Sequence, residues 1–268
     1  MGSTKNRKGK ANIPAWGRGS PGLPAGGISR RAALAGLSSL ALTAAGRAQT
    51  PGATPRQAQG VDLLLVLAVD ASGSVSMSRF ALQQQGYVKA FRHPRVLQAI
   101  RSGMLGAIGV TMVQWTGPHL HVIAVPWTRV SDKATLEGFA SAIEKSPRDL
   151  FGGGTSISGA IDFAATLFPK APWKAARKVV DVSGDGYNSS GRGVHEARDE
   201  AVKAGIVING LPILSLELDL DKHYAEDVIG GPGAFSIPAA NYDKFAEAIQ
   251  RKLILEIAAR EPPRLPRG

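Results

Sequence analysis

The chain has 268 residues, 44% of them hydrophobic, no cysteine, and a formal charge of +11. That is enough for one domain of about 200 residues with an ordinary core, plus appendages, and the lack of cysteine excludes disulfides, a thiolate nucleophile, thiolate-bound zinc and a cysteine lipid anchor. The charge does not signal nucleic-acid binding: residues 1–60 carry nine Lys or Arg and no acid, which leaves 23 basic residues against 21 acidic ones in the remainder, with no basic stripe among them.

The first 48 residues read as an export signal. Ser29-Arg30-Arg31-Ala32-Ala33-Leu34 matches a twin-arginine pattern, although an aromatic usually stands where this chain has Ala33. A weakly apolar stretch, Ala32 to Ala45, follows, and Gly46-Arg47-Ala48 offers a small-x-small cleavage site. The stretch is too short for a spanning helix, which needs about 20 residues, so a stable membrane span is not expected. The segment before Ser29 is long for such a signal and suggests a start downstream of Met1. The expected location is periplasmic or secreted. Residues 49–60, rich in Pro, Gly and Gln, form a linker; residues 61–259 form the domain; residues 260–268, with three prolines, form a flexible tail.

Within the domain, apolar β-type runs alternate with helical periodicity, which argues for an α/β fold with a mostly parallel sheet. Leu63 to Val69 is the first strand, and a helix follows from about Ser78 to His93. Ala107 to Trp115 is the second strand. Thr116-Gly117-Pro118 turns it back into His119 to Pro126, the one antiparallel member. Ser131-Asp132 caps a helix to about Lys145, and another runs from Ile157 to Phe168. Arg177 to Val182 is strand four, a helix spans Val194 to Ala204, and Val207 to Leu214 is strand five. A helix near Ala225, a sixth strand at Ala234 to Ile237 and a last helix from Asn241 to Ala259 complete the domain.

Three short segments carry the chemistry. Asp70-Ala71-Ser72-Gly73-Ser74 follows strand one, Gly152-Gly153-Gly154-Thr155-Ser156 precedes a helix, and Ser183-Gly184-Asp185-Gly186 follows strand four. In open α/β sheets ligand sites lie beyond the carboxyl ends of the strands, so the three segments converge at one end of one sheet. A Mg²⁺ ion takes about six oxygen ligands and keeps some of its waters. Asp70, Ser72, Ser74, Thr155 and Asp185 supply two carboxylates and three hydroxyls, and leave a position open.

The order D-x-S-x-S, then a Gly-rich T, then the Asp of G-D-G resembles the von Willebrand factor A-type (vWA) domain and its metal-ion-dependent adhesion site, or MIDAS. The resemblance covers about Val61 to Ala259. With Val228-Ile229-Gly230-Gly231-Pro232-Gly233 near the end, the chain is also similar to an uncharacterised family of exported bacterial vWA-like proteins. The resemblance implies a Rossmann-like vWA fold: a mostly parallel six-stranded sheet with one antiparallel edge strand and helices on both faces. It also implies a Mg²⁺ (or Mn²⁺) ion held directly by Ser72 and Ser74 and directly or through water by Thr155, with Asp70 and Asp185 acting through waters. Neutral hydroxyls leave most of the ion's charge uncancelled, so it attracts an anionic sixth ligand, a carboxylate on a protein partner or other extracellular ligand.

Two other readings belong to different classes. Gly184-Asp185-Gly186-Tyr187-Asn188 also resembles an element of haloacid-dehalogenase-type phosphatases, with Asp70 as nucleophile. Their general acid stands two residues after the nucleophile, where this chain has Ser72, so leaving-group protonation has no obvious source. A vWA subunit docking on an ATPase assembly is the other, and export argues against it. No G-x-S-x-G occurs, and residues 152–156 lack the Lys of a P-loop. The function expected is therefore binding without catalysis. Trp115, Tyr187, Asn188 and Arg192 lie near the expected site and are candidates for partner contact. Lys252 is assigned, with Arg260, Arg264 and Arg267, to a solvated terminus.

Overall fold

The structure, a computed structural model, describes residues 60–259; the export signal with Arg30 and Arg31, nearly all of the linker, and the tail lie outside the described residues. Strand β1 (Val61–Asp70) is buried on both faces: Leu63, Leu65, Leu67 and Val69 enter one core layer, Leu64, Val66 and Ala68 the other. A continuous apolar run of this kind belongs in the middle of a sheet covered on both sides. It pairs in parallel with β2 (Ile108–Trp115) and with β4 (Ala175–Gly184), β4 pairs in parallel with β5 (Val207–Pro212), and β3 (His121–Val130) lies antiparallel at the β2 edge, giving the order β3-β2-β1-β4-β5.

One face is covered by α1 (Met77–Phe91), α2 (Pro94–Arg101), α3 (Lys133–Lys145) and α7 (Phe245–Ala258). The other is covered by α4 (Ile157–Leu167), α5 (Val194–Lys203) and the short α6 (Leu220–His223), which continues as a π turn to Val228. This is the vWA-type α/β arrangement.

The sheet has five strands where six were expected. Residues 234–239 approach β5 but make only isolated bridges, Gly210 to Ser236 and Ile213 to Ala239. The two bridges share one register, but Pro212 lacks the N–H that would bond the Ile237 carbonyl between them, so the ladder breaks. β3 runs past Pro126 instead of stopping there, because a bulge opposite Thr111 absorbs the proline and the Thr111 hydroxyl donates to the Val125 carbonyl at 2.7 Å. Helix α2 was not foreseen. The helix expected to reach His93 ends at Phe91, since a residue before proline disfavours the helical region, and Pro94 then opens α2 with the His93 ring as N-cap.

Helices α1 and α7 pack closely through Gly86. A Cβ there would lie 2.5 Å from the Phe245 ring, whose edge also meets Tyr87 at a centroid distance of 5.4 Å. In an exposed helix Gly→Ala stabilises by about 0.5–1 kcal/mol. Here the sign reverses: Gly86→Ala is expected to destabilise by about 1–3 kcal/mol through overpacking, read as a lowered urea midpoint. An unchanged or raised midpoint would mean that α7 is free to move away.

Candidate metal centre

β1 flanks β2 on one side and β4 on the other, so the crevice at the carboxyl ends of β1 and β4 is where the winding reverses. Asp70 ends β1, and Asp185 follows the last residue of β4. Both carboxylates are fully buried. The backbone N–H of Ser72 donates to Asp70 Oδ1 at 2.7 Å, closing a tight turn, and Gln83, buried on α1, donates to the Asp70 carbonyl at 3.1 Å. Ser76 then caps α1 by accepting from the Arg79 N–H.

The Ser72 and Ser74 hydroxyls are 3.1 Å apart, and Ser74 Oγ donates to Asp185 Oδ1 at 2.5 Å. Asp185 Oδ2 accepts from the Tyr242 hydroxyl at 2.8 Å and lies 3.5 Å from Arg79 Nη1. The Asp185 N–H faces Asp70 Oδ2 at 3.4 Å. Gly184 permits this crowding, because a Cβ there would sit 2.9 Å from Asp70 Oδ2 and 3.1 Å from the Tyr224 hydroxyl.

The third segment arrives on a loop whose Gly152 and Gly153 have φ of 76° and 84°, a region that side chains avoid. Gly73 packs on this turn, with its Cβ position 3.6 Å from the Gly153 carbonyl. The Thr155 carbonyl accepts from the N–H groups of Ser189 and Ser190, and Thr155 Oγ1 lies 3.6 Å from the Cβ position of Gly186. Thr155 is thus tied to the segment after Asp185. Arg148 joins the same loop to the first: its Nη2 donates to the Ala71 and Ser72 carbonyls at 2.9 and 3.2 Å, and its Nε to that of Leu150.

Burial, reinforced by the neighbouring Asp185 charge, pushes the Asp70 carboxyl up to about 7, although the hydrogen bonds from Ser72 pull the other way. Burial beside Asp185 raises the Tyr242 hydroxyl well above its usual range. A cation placed between Asp70 and Asp185 would remove the repulsion, and an all-oxygen set of carboxylates and hydroxyls suits a hard divalent ion. The donor chemistry therefore fits a metal of that class. Among the described residues no three His, Cys, Asp or Glu side chains gather to hold a metal; this centre has two carboxylates and relies on hydroxyls.

The four partner-contact candidates separate. Trp115 is fully buried in the core and is corrected to a packing residue, because β2 is covered on both faces up to its last position. Asn188 is used structurally: its side chain accepts from the Ser158 N–H and donates to the Arg192 carbonyl. Arg192 forms ion pairs with Asp162 and Glu200. Tyr187 is 37% exposed at the rim, where its hydroxyl donates to Asp219 at 2.6 Å. Sequence reasoning missed Gln83, Arg79, Arg148 and Tyr242. The first two stand within fourteen residues of Asp70 but in no pattern that marks them, and the last is 57 residues from its partner. Among the described residues no helix is long and apolar enough to cross a membrane. A cavity of about 600 Å³ lies elsewhere, beside Asn209, Phe235 and Glu256, and none of the three segments lines it.

Comparison with known proteins agrees with this architecture. A family described as "Protein of unknown function (DUF1194)" matches residues 60–261. Among solved structures, proximal thread matrix protein 1 from the mussel byssus is similar at 17% identity and a TM-score of 0.52, over 74% of this chain and 47% of that one. The same mussel protein with a zinc-occupied MIDAS motif gives 18% and 0.51, over 74% and 46%. The pilus adhesin SpaC from Lactobacillus rhamnosus GG, in an open conformation, gives 16% and 0.50, over 74% and 30%. At such identities the likeness shows the fold, and the chain spans less than half the length of these proteins. No curated protein matches significantly. Since the family match takes in three quarters of its length, the chain belongs to the DUF1194 family, and the domain that defines it has the vWA-type fold.

Proposed function

We propose that this protein is a metal-dependent binding module that captures an acidic group of a partner through a divalent ion at the end of β1 and β4. The observation that carries the reading is the fully buried pair Asp70 and Asp185 at one sheet end, joined by the Ser72 N–H on Asp70, the contact between the Ser72 and Ser74 hydroxyls, and the Ser74 hydroxyl on Asp185. Mg²⁺ or Mn²⁺ is the ion the oxygen set favours; zinc in the MIDAS of the mussel protein supports a divalent ion at such a motif. When bound, the ion supplies an electrophilic position for a carboxylate. Ser72, Ser74 and Thr155 would hold it, while Asp70 and Asp185 balance its charge and accept hydrogen bonds. The twin-arginine leader would deliver the module to the periplasm or beyond, where the partner is an extracellular protein or ligand presenting a carboxylate.

A catalytic role for Asp70 has little support, because a wholly buried carboxylate held by Ser72 has no line of approach to a phosphate ester. The test is calorimetric titration of Mg²⁺ and Mn²⁺ into the full chain beside Asp185→Ala. Saturable binding in the wild type that is lost in the variant is expected. Equal heats in both proteins would remove the site from these residues.

A further inference from the structure

Two arginines stand beside the metal centre on the same face of the sheet. Arg79 Nη1 donates to the Ser74 carbonyl at 3.0 Å and lies 3.5 Å from Asp185 Oδ2, with its guanidinium 5.3 Å from the centre of the Tyr242 ring. Arg148 is held between two rings, 5.4 Å from that of Phe80 and 5.1 Å from that of Phe151. This stacking and the three carbonyls it donates to fix the guanidinium plane. Among the described residues the remaining nitrogen, Nη1, has only the Met77 thioether, 3.8 Å away, a weak acceptor that leaves its hydrogens available. Among the described residues Arg148 forms no ion pair, and its neighbours Met77 and Phe151 are 60% and 66% exposed.

Charge counting gives this arrangement a consequence. Asp70 and Asp185 balance Arg79 and Arg148, so a bound divalent ion leaves the centre at +2. One ligand carboxylate halves that excess, and a second cancels it. The opposite side of the rim is acidic, with Glu217 and Asp219 exposed before α6 on the other face of the sheet. An acidic ligand is therefore drawn toward the arginine side.

We propose that Arg148, backed by Arg79, forms an anion subsite beside the metal, so that the ligand is a doubly acidic segment: one carboxylate for the ion and a second for the guanidinium. The inference rests on the metal-dependent reading above and narrows it to a class of partner. A charge-assisted bond from the open Nη1 of a pre-oriented guanidinium outweighs an exposed ion pair, because the side chain is already ordered.

The experiment first measures Mn²⁺ binding to the full chain, then titrates blocked peptides into the Mn²⁺-saturated protein. The peptides carry either one aspartate or two acidic residues spaced zero, one or two positions apart. At least one two-acid peptide is expected to bind about tenfold or more tightly than the one-acid peptide. Arg148→Met, which keeps an apolar stem between Phe80 and Phe151, should erase that advantage, and Arg148→Lys, which keeps the charge without the planar fork, should retain part of it. Equal affinity for all peptides in Mn²⁺-loaded wild type would overturn the subsite while leaving the metal reading intact. An advantage that survives Arg148→Met would overturn it as well. Failure of Mn²⁺ itself to bind would sink the parent reading, and it is seen in the first titration.

Discussion

Asp70→Asn is expected to hold no divalent ion and, in EDTA at pH 8, to be more stable than the wild-type domain. Both effects have one cause. Burial and the Asp185 charge raise the Asp70 carboxyl from 3.8 to about 7 in the metal-free fold. A carboxyl raised on folding contributes its stability at low pH and loses it as pH climbs from the unfolded value through the folded one. The metal-free wild type should therefore lose stability between about pH 4 and 7, by about 4 kcal/mol from this group alone. Asparagine keeps the acceptor that Ser72 N–H uses but carries no charge, so this part of the loss disappears. Because Asp181 titrates in the same window, the informative quantity is the difference between wild type and variant, from urea melts at pH 5 and 8. With Mn²⁺ at pH 8 the order should invert, since a ligand bound only by the folded state stabilises that state. A variant less stable than wild type at pH 8 in EDTA would show that Asp70 supports the fold rather than the ion.

Lys252→Met is expected to cost about 3–5 kcal/mol. Lys252 was assigned to a solvated terminus, but it is fully buried on the inner face of α7. Its Nζ lies 2.6 Å from Asp181 Oδ1 on β4 and 2.8 Å from Glu256 Oε1, which also accepts from Asn209 Nδ2 at 2.6 Å. Two acids share one base in the core. Burial, then the Glu256 charge, raises Asp181 to about 7 even though Lys252 draws it down. Removing the lysine leaves two carboxyl groups with no cation. The penalty should grow from pH 5 to pH 8, because protonation of one acid relieves it at the lower pH. Replacing all three groups by apolar ones (Asp181→Val, Lys252→Met and Glu256→Leu together) should recover most of the loss, as buried ion networks often yield to hydrophobic packing. A single variant that melts like wild type at pH 8 would show that α7 lifts the triad into water.

The metal loops were legible because they are local. Asp70, Ser72 and Ser74 sit within five residues after an apolar run, and Asp185 closes another such run, so strand ends and polar chemistry coincide in the sequence. Their convergence followed from the rule that parallel strands in one sheet bring their carboxyl ends together. The edge strand could be read from its turn, and α3 from Asp132, which caps it by a reciprocal pair of hydrogen bonds with Thr135.

Contacts across long sequence gaps stayed hidden. Tyr242 on Asp185, Arg148 over the Phe80 ring, and Lys252 beneath Asp181 pair residues whose separation no periodicity encodes. Helical spacing did not mark Lys252 as inward-facing, since a lysine is presumed solvated until its partner acids are seen. Trp115 had the opposite history: its place at a strand end pointed to the rim, and packing on both faces of β2 put it in the core. The sequence by itself determined the alternating α/β pattern, the direction of the sheet and the chemistry of the metal loops, because periodicity and turn residues act over a few positions. Tertiary structure alone decided which charges are buried, which arginines border the centre and where the sixth strand fails, because burial and proline-blocked pairing depend on what the rest of the chain brings alongside.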